Sequence, residues 1–375
     1  LRRAGAARVF TGVRAPSTLG TFLRGFTFGH VRQLDAVAAR TLSGLATQAP
    51  LLSGIQQTCL IDIDDTVKGV YGPGKQGAEF GYTKIRGLNA QLAIVSTPDA
   101  APVIAATRLR RGAAPSSQGA VRMIRDAITT ARRCGAGDNI LVRADSAYCS
   151  SSILQAVAKA GAEFSVGMPL NSRVRAAITG IDEAAWVRIE YPWAIPDPDT
   201  GELISAAEIA EIPFTAFASR PPAKHVTARL IVRRIPERNA TKLQDPLFPA
   251  YRFHALFTNS TATLVQAEST HRGHAIIEQV IADLKGSALA HLPSGRFAAN
   301  AAWLVCAAMA FNLTRALGVI AGGTLVKATT ATIRTRIINL PARIARSARR
   351  LRLRLPRDWT WATHWQQLWT AVMTP

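Results

Sequence analysis

Apolar side chains recur at helical spacing through residues 18–46, "TLGTFLRGFTFGHVRQLDAVAARTLSGLA", with Gly and Pro at the edges, so helix is expected there. The pattern then changes. Residues 58–67, "TCLIDIDDTV", read as a buried strand. "LNAQLAIVS" and "APVIAATRLR" read as two more, after the Gly-rich, basic "KGVYGPGKQGAEFGYTKIRG", a loop or hairpin. Short connections predict antiparallel pairing of these three strands. Helical spacing returns in "SQGAVRMIRDAITTARRC", followed by a strand in "DNILVRAD", a helix in "SSILQAVAKAG" and a strand in "AEFSVGM". The order βββαβαβ is an α/β pattern.

The next stretch is rich in β-branched and aromatic residues. "WVRIEY", "EIPFTAFA", "HVTARLIVRRI" and "YRFHALFT" predict strands split by Pro-rich turns such as "YPWAIPDPDTG", an all-β insertion. At residue 262 the helical period resumes in "ATLVQAESTHRGHAIIEQVIADLKG". The longest apolar run, "AANAAWLVCAAMAFNLTRALGVIAGG", holds Asn300, Asn312, Thr314 and Arg315, which favours a buried helix over a membrane span. The tail "ATIRTRIINLPARIARSARRLRLRLPRDW" is densely cationic, with Asp358 its only acid, and is expected to be helical.

A chain of 375 residues predicts two or more cores, and 48% hydrophobic content excludes general disorder. Charge changes the picture more. Lys and Arg number 45 against 24 Asp and Glu, a formal +21, which points to a polyanionic partner with nucleic acid first. Cys59, Cys134, Cys149 and Cys306 form no CxxC pair and lie in apolar segments, so neither structural zinc nor a disulfide framework is expected. No secretory leader is visible. The start at Leu1 without Met is expected of a processed chain or a fragment of a longer reading frame.

Three acids interrupt the first strand. Side chains alternate along a strand, so Asp62 and Asp64 share one face and Asp65 takes the other. The fourth strand ends on Asp145, where α/β sheets place their sites. His271, His274, Glu278 and Lys285 are spaced three, four and seven apart, which predicts one helical face. Two strand aspartates and a helix glutamate make a hard oxygen set suited to Mg²⁺ or Mn²⁺, and two such ions serve phosphoryl transfer. The cations of the Gly-rich stretch, Lys84 and Arg86 among them, are expected to hold a phosphate backbone. "YGPGKQG" is no P-loop, since it lacks the GK[ST] ending.

"LIDIDDTV", "KQGAEFGYTKIRGLNA", "LVRADSAY" and "HRGHAIIEQVIADLK" together resemble a DDE-type insertion-sequence transposase, most nearly the insertion-sequence 1380 family. The resemblance runs from about residue 17 to the end. It implies a ribonuclease-H-like mixed-sheet core interrupted by a β-strand insertion, with a helical N-terminal segment and a basic helical C-terminal region. The family's first aspartate lies two residues before a Thr, which selects Asp64; the second matches Asp145 and the glutamate matches Glu278. These three are the implied catalytic residues and metal ligands, with Asp62 either a fourth ligand or a neighbour in the shell behind. The wider group's helix signature has Tyr and Arg where this chain has His271 and His274, whereas Lys285 fits it.

The resemblance further implies two Mg²⁺ or Mn²⁺ ions, hydrolysis at terminal inverted repeats, and attack of the freed 3′-hydroxyl on target DNA. Lys285, His274, His271 and Arg272 would contact DNA, and Trp193 or Trp186 would stack on a base. Partners would be the element's ends, target DNA and a second copy of the chain, with no membrane, in a bacterial cytoplasm at the nucleoid. The expected division is 1–54 helical DNA-binding remnant, 55–172 first part of the core, 173–261 insertion, 262–322 second part with the Glu helix, and 323–375 basic region. Two other readings are a structure-specific nuclease on the same core and a truncated, non-catalytic DNA-binding remnant.

Overall fold

The computed structural model describes residues 15–191, 207–236, 251–347 and 350–373. Helices α1 (Pro16–Arg24) and α2 (Phe28–Gln48) come first. The Thr27 hydroxyl caps α2 by accepting the His30 N–H. The expected series follows as β1 (Cys59–Gly69), a short β2 (Glu79–Phe80), β3 (Arg86–Ser96), β4 (Val103–Arg111), α3 (Ala120–Arg133), β5 (Ile140–Ala144), α4 (Ser151–Lys159) and β6 (Glu163–Met168). β4, β3 and β1 pair antiparallel, while β1, β5 and β6 pair parallel. The resulting order β4–β3–β1–β5–β6 is compatible with a ribonuclease-H-like core.

The insertion was expected to be all-β from residue 173, but it opens on helix α5 (Ser172–Thr179), capped by the Asn171 side chain. Strands β7 (Val187–Ile189), β8 (Ala207–Ala216), β9 (Val226–Pro236) and β10 (Tyr251–Thr258) then form as expected. They are not a body of their own. β10 pairs antiparallel with β6, so β10–β9–β8–β7 prolong the central sheet to ten strands. β6 would otherwise be a bare edge, and β10 satisfies its backbone groups.

The two or more cores expected from length are the two faces of this one sheet. On one face Ile61, Ile63, Val95 and Val142 pack against Met123 and Ile124 of α3 and Leu154 and Val157 of α4. On the other, Leu88, Ala90, Leu92 and Ile94 pack against α7 (Ile276–Lys285) and α8 (Phe297–Ala321). α2 closes the side between them, with Leu42 in the first core and Val31 in the second. The N-terminal helices thus pack on the cores of both faces.

The apolar run is α8, which among the described residues is the one helix long and apolar enough to cross a membrane, and it is mostly buried against the sheet. Buried Asn312 explains the polar interruption. Its amide accepts from the Ile104 N–H and donates to the Ile104 carbonyl, both at 2.8 Å, and so occupies the outer edge of β4. α6 (Leu264–Arg272) precedes α7 and is separated from it by a 3₁₀ turn at Gly273–Ala275, so the expected continuous helix is broken.

The C-terminal region departs most from expectation. After α9 (Thr330–Ile333) and a π-helical turn, the most cationic stretch is a hairpin of β11 (Arg343–Ser347) and β12 (Arg350–Arg354), and α10 (Ala362–Met373) closes the chain. "RLRLR" alternates with period two, which is a strand pattern. In this hairpin Arg343 lies opposite Arg354, a like-charge pair that a polyanion would relieve.

Candidate active site

Alternation along β1 divides its acids as expected. Asp64 lies opposite Leu92, whose side chain packs with α7, so Asp62, Asp64, Thr66 and Lys68 run along the α7 side of the strand. Asp65 points to the other face, where it is buried and ion-paired with Arg110. Arg110 also donates to the carbonyls of Pro115, Ser116 and Gln118, fixing the loop after β4.

Asp62 is fully buried and already committed. Parallel pairing of β1 with β5 sets it beside Arg143. The guanidinium donates from Nε to Oδ1 and from Nη2 to Oδ2, each at 2.7 Å. Nδ1 of His274 lies 2.9 Å from the same Oδ1, and Arg143 reaches on to the Thr270 carbonyl at 2.5 Å. Of the two readings of Asp62, this geometry favours the one behind the ligands, since both oxygens are occupied by a bidentate ion pair. The network ties β1 and β5 to the α6–α7 break.

Asp64 and Asp145 are differently placed. Asp64 Oδ1 accepts the Asp65 N–H at 2.7 Å. Asp145 follows β5 and caps a 3₁₀ turn, its Oδ1 accepting the Ala147 N–H at 3.0 Å. The Asp145 carboxylate also draws on the Tyr148 N–H, whereas Asp64 Oδ2 has no hydrogen-bond partner among the described residues. Burial first, and then the charge of Asp145, push the Asp64 carboxyl up to about 6. Burial likewise raises Asp145. Two desolvated carboxyls, one of them raised further by the charge of the other, are groups that a divalent cation would satisfy.

Glu278 sits in the first turn of α7, exposed, in a cleft of about 610 Å³ that Asp145, His274 and His271 also line. It does not join the pair closely. Among the described residues no three His, Cys, Asp or Glu side chains stand near enough together to hold one ion. A shared ion would require α7 and the strand ends to draw together. At the far end of α7, Lys285 is within electrostatic reach of Asp64 and Lys68, and burial followed by Lys68 lowers its pKa.

The remaining expected DNA contacts divide. Lys84 is exposed on a turn. His271 points into the protein, its Nδ1 2.9 Å from Ser165 Oγ on β6, and burial pushes it down to about 4. A ring so held stays neutral near pH 7 and brings no charge to the cleft it lines. Arg272 pairs with Glu268 at 2.9 Å and lies over the Tyr191 ring. Arg86 donates to the carbonyls of Gly72 and Pro73, holding the Gly-rich loop. Trp193 lies outside the described residues. Trp186 is covered by Arg234, 4.2 Å above its ring, and is no open platform.

Four residues at the site were not singled out in the sequence: Arg143, Lys68, Arg110 and Tyr82. Lys68 was legible, sharing the even-numbered face of β1 with Asp64. Arg143 and Arg110 become significant only once their partners are known.

The chain matches the family model for transposase DDE domain, group 1, over residues 20–374. No curated protein matches it.

Proposed function

The chain belongs to the DDE transposase domain family, and from that premise we propose that it is the transposase of a bacterial insertion sequence, akin to the insertion-sequence 1380 family. It would cut at terminal inverted repeats and join the freed 3′-hydroxyl ends to target DNA. The observation that carries the reading is the Asp64–Asp145 pair. Asp64, midway along β1, feels the charge of Asp145, which follows the end of the adjacent β5, and burial raises both carboxyls.

Asp64, Asp145 and Glu278 would hold Mg²⁺ or Mn²⁺, which when bound supplies the Lewis acidity and the activated water for phosphodiester cleavage. The chain's own residues position the substrate. Lys285, within electrostatic reach of Asp64 and Lys68, would take the phosphate backbone together with Lys68. His274 is anchored on Asp62, so its ring is fixed at the cleft rather than free to swing. The arginines of the C-terminal hairpin, Arg343, Arg352 and Arg354, extend the cationic surface for DNA beyond the cut. Pairing of two ends would need two copies of the chain, working on nucleoid DNA.

The test is strand cleavage and joining on labelled repeat DNA with Mg²⁺, comparing wild type with Asp64→Asn, Asp145→Asn and Glu278→Gln. Each variant should bind DNA and fail to cut. Cleavage at the wild-type rate by all three would refute the assignment.

A further inference from the structure

Helices α2 and α3 flank β4 and leave a trough of about 270 Å³ beside that strand. Alanines line it from three elements, Ala36 and Ala39 of α2, Ala106 of β4 and Ala308 of α8, and their short side chains leave the space unfilled. A second hollow of about 110 Å³ adjoins it. Arg32, Asp35, Arg108 and Val305 line both, and Phe28 and Phe297 give the smaller one apolar walls. Together the two lie at the small end of the range for ligand pockets. Asp64, Asp145 and Glu278 line neither, so this is a place apart from the cleft.

The charges in the trough do not balance. Arg32 donates from Nη1 to Asp35 at 2.7 Å and from Nη2 to Asp126 at 3.1 Å, and Arg122 Nε stands 3.8 Å from the same Asp126 oxygen. Both acids are thereby engaged. Arg108 lines both hollows, half-buried, and makes no side-chain hydrogen bond or ion pair among the described residues. Burial first, and then the charge of Arg32, lowers its pKa. Arg32 Nε is buried without a partner as well. Three guanidiniums therefore share two carboxylates, and the trough is short of acceptors. An unpaired cation shielded from water is costly, and a ligand that brings oxygens removes that cost. A guanidinium is a planar fork that meets a carboxylate or phosphate in two hydrogen bonds. The apolar walls next to it suit a ring or short chain joined to that group.

We propose that this trough is a binding site for a small organic anion, its carboxylate or phosphate held by Arg108 and its apolar body in the hollow beside Phe28 and Phe297. The site is independent of the transposase reading. A phosphate of DNA would bring the same charge to Arg108, but the apolar hollow favours a small molecule, and a duplex separates the two sources.

The test uses phenyl phosphate as the probe, with inorganic phosphate and phenol as its head and body alone, followed by isothermal titration and thermal unfolding of the full chain. Wild type should bind phenyl phosphate, melt higher in its presence, and bind either half more weakly. Arg108→Leu should bind it roughly ten- to a hundredfold more weakly, the range for losing hydrogen bonds to a charged group. Arg111→Leu removes an exposed cation nearby on β4 and should bind as wild type does. Without ligand, Arg108→Leu should melt no lower than wild type, because the lost guanidinium leaves no partner stranded. Absence of binding by wild type at millimolar phenyl phosphate, or equal affinity in wild type and Arg108→Leu, would overturn the site. Ligand-free Arg108→Leu melting well below wild type would mean that the guanidinium is satisfied within the fold, and would overturn it too. Duplex DNA should bind both proteins equally; a large loss of duplex affinity in Arg108→Leu would make Arg108 a contact to DNA and overturn the small-molecule site.

Discussion

Removing the Asp62 carboxylate should unfold this protein more readily than any change at the metal ligands. Asp62 is 0% exposed and its partner Arg143 is 2% exposed, with two 2.7 Å bonds between them. Asp62→Ala leaves a guanidinium buried among Thr270, His274 and the sheet with no counter-charge. Stranding one partner of a buried pair costs about 3–5 kcal/mol. For a chain of 375 residues that corresponds to a fall of roughly 4–6 °C in melting temperature, at about 1.3 °C per kcal/mol from an unfolding entropy of about 2.1 cal/mol/K per residue. Replacing both partners, Asp62→Leu with Arg143→Met, removes the stranded charge and should recover most of the loss, because the pair itself is worth little against apolar packing. The assay is thermal and urea unfolding at pH 7 of wild type, both single variants and the double, with Mg²⁺ titration alongside. A loss under about 1 kcal/mol in Asp62→Ala, together with a large fall in Mg²⁺ affinity, would refute the argument and make Asp62 a ligand after all.

Asp64→Asn should stabilise the metal-free protein while abolishing cleavage. The folded carboxyl titrates near 6 against 3.8 for the free group, so ionisation opposes folding above that window. Stability should therefore rise as pH falls from about 6 to 4, by at most about 3 kcal/mol, and urea unfolding of Asp64→Asn should lack that rise. For the same reason Mg²⁺ affinity should weaken progressively below pH 6, as isothermal titration would show, because protons compete for the ligands. His271 has the opposite sign. Its folded ring resists protonation down to about 4, so stability should fall as pH drops from 6.5 toward 4, by up to about 3 kcal/mol, and His271→Gln should flatten that slope. Asn312→Leu strips two hydrogen bonds from the edge of β4 and should cost about 2–4 kcal/mol, with light scattering reporting aggregation through the bared strand.

Much of the site was legible because it depends on local periodicity. The side-chain alternation of β1 separates Asp65 from Asp62 and Asp64 whatever the rest of the chain does. The strand ending on "VRAD" places Asp145 just past the C-terminal end of a strand, and the series βββαβαβ follows from hydrophobic spacing alone. The basic tail shows the limit of reading by composition. Its charge density suggested a helical face, yet the two-residue alternation of "RLRLR" makes a hairpin.

What local pattern cannot carry is partnership. Asp62 looks as available as Asp64 until β1 and β5 pair in parallel, which sets it against Arg143, 81 residues away. His271 and His274 look like one DNA-facing stripe until the helix breaks at Gly273–Ala275, turning one ring toward Ser165 and the other onto Asp62. The insertion strands alternate correctly, but only the unpaired edge of β6 decides that they continue the sheet instead of folding apart. Period and propensity belong to neighbours along the chain, so the sequence by itself determined the elements and the faces of their side chains. The charge state and the commitments of each acid depend on burial and on long-range contacts, and these exist only once the sheet has formed.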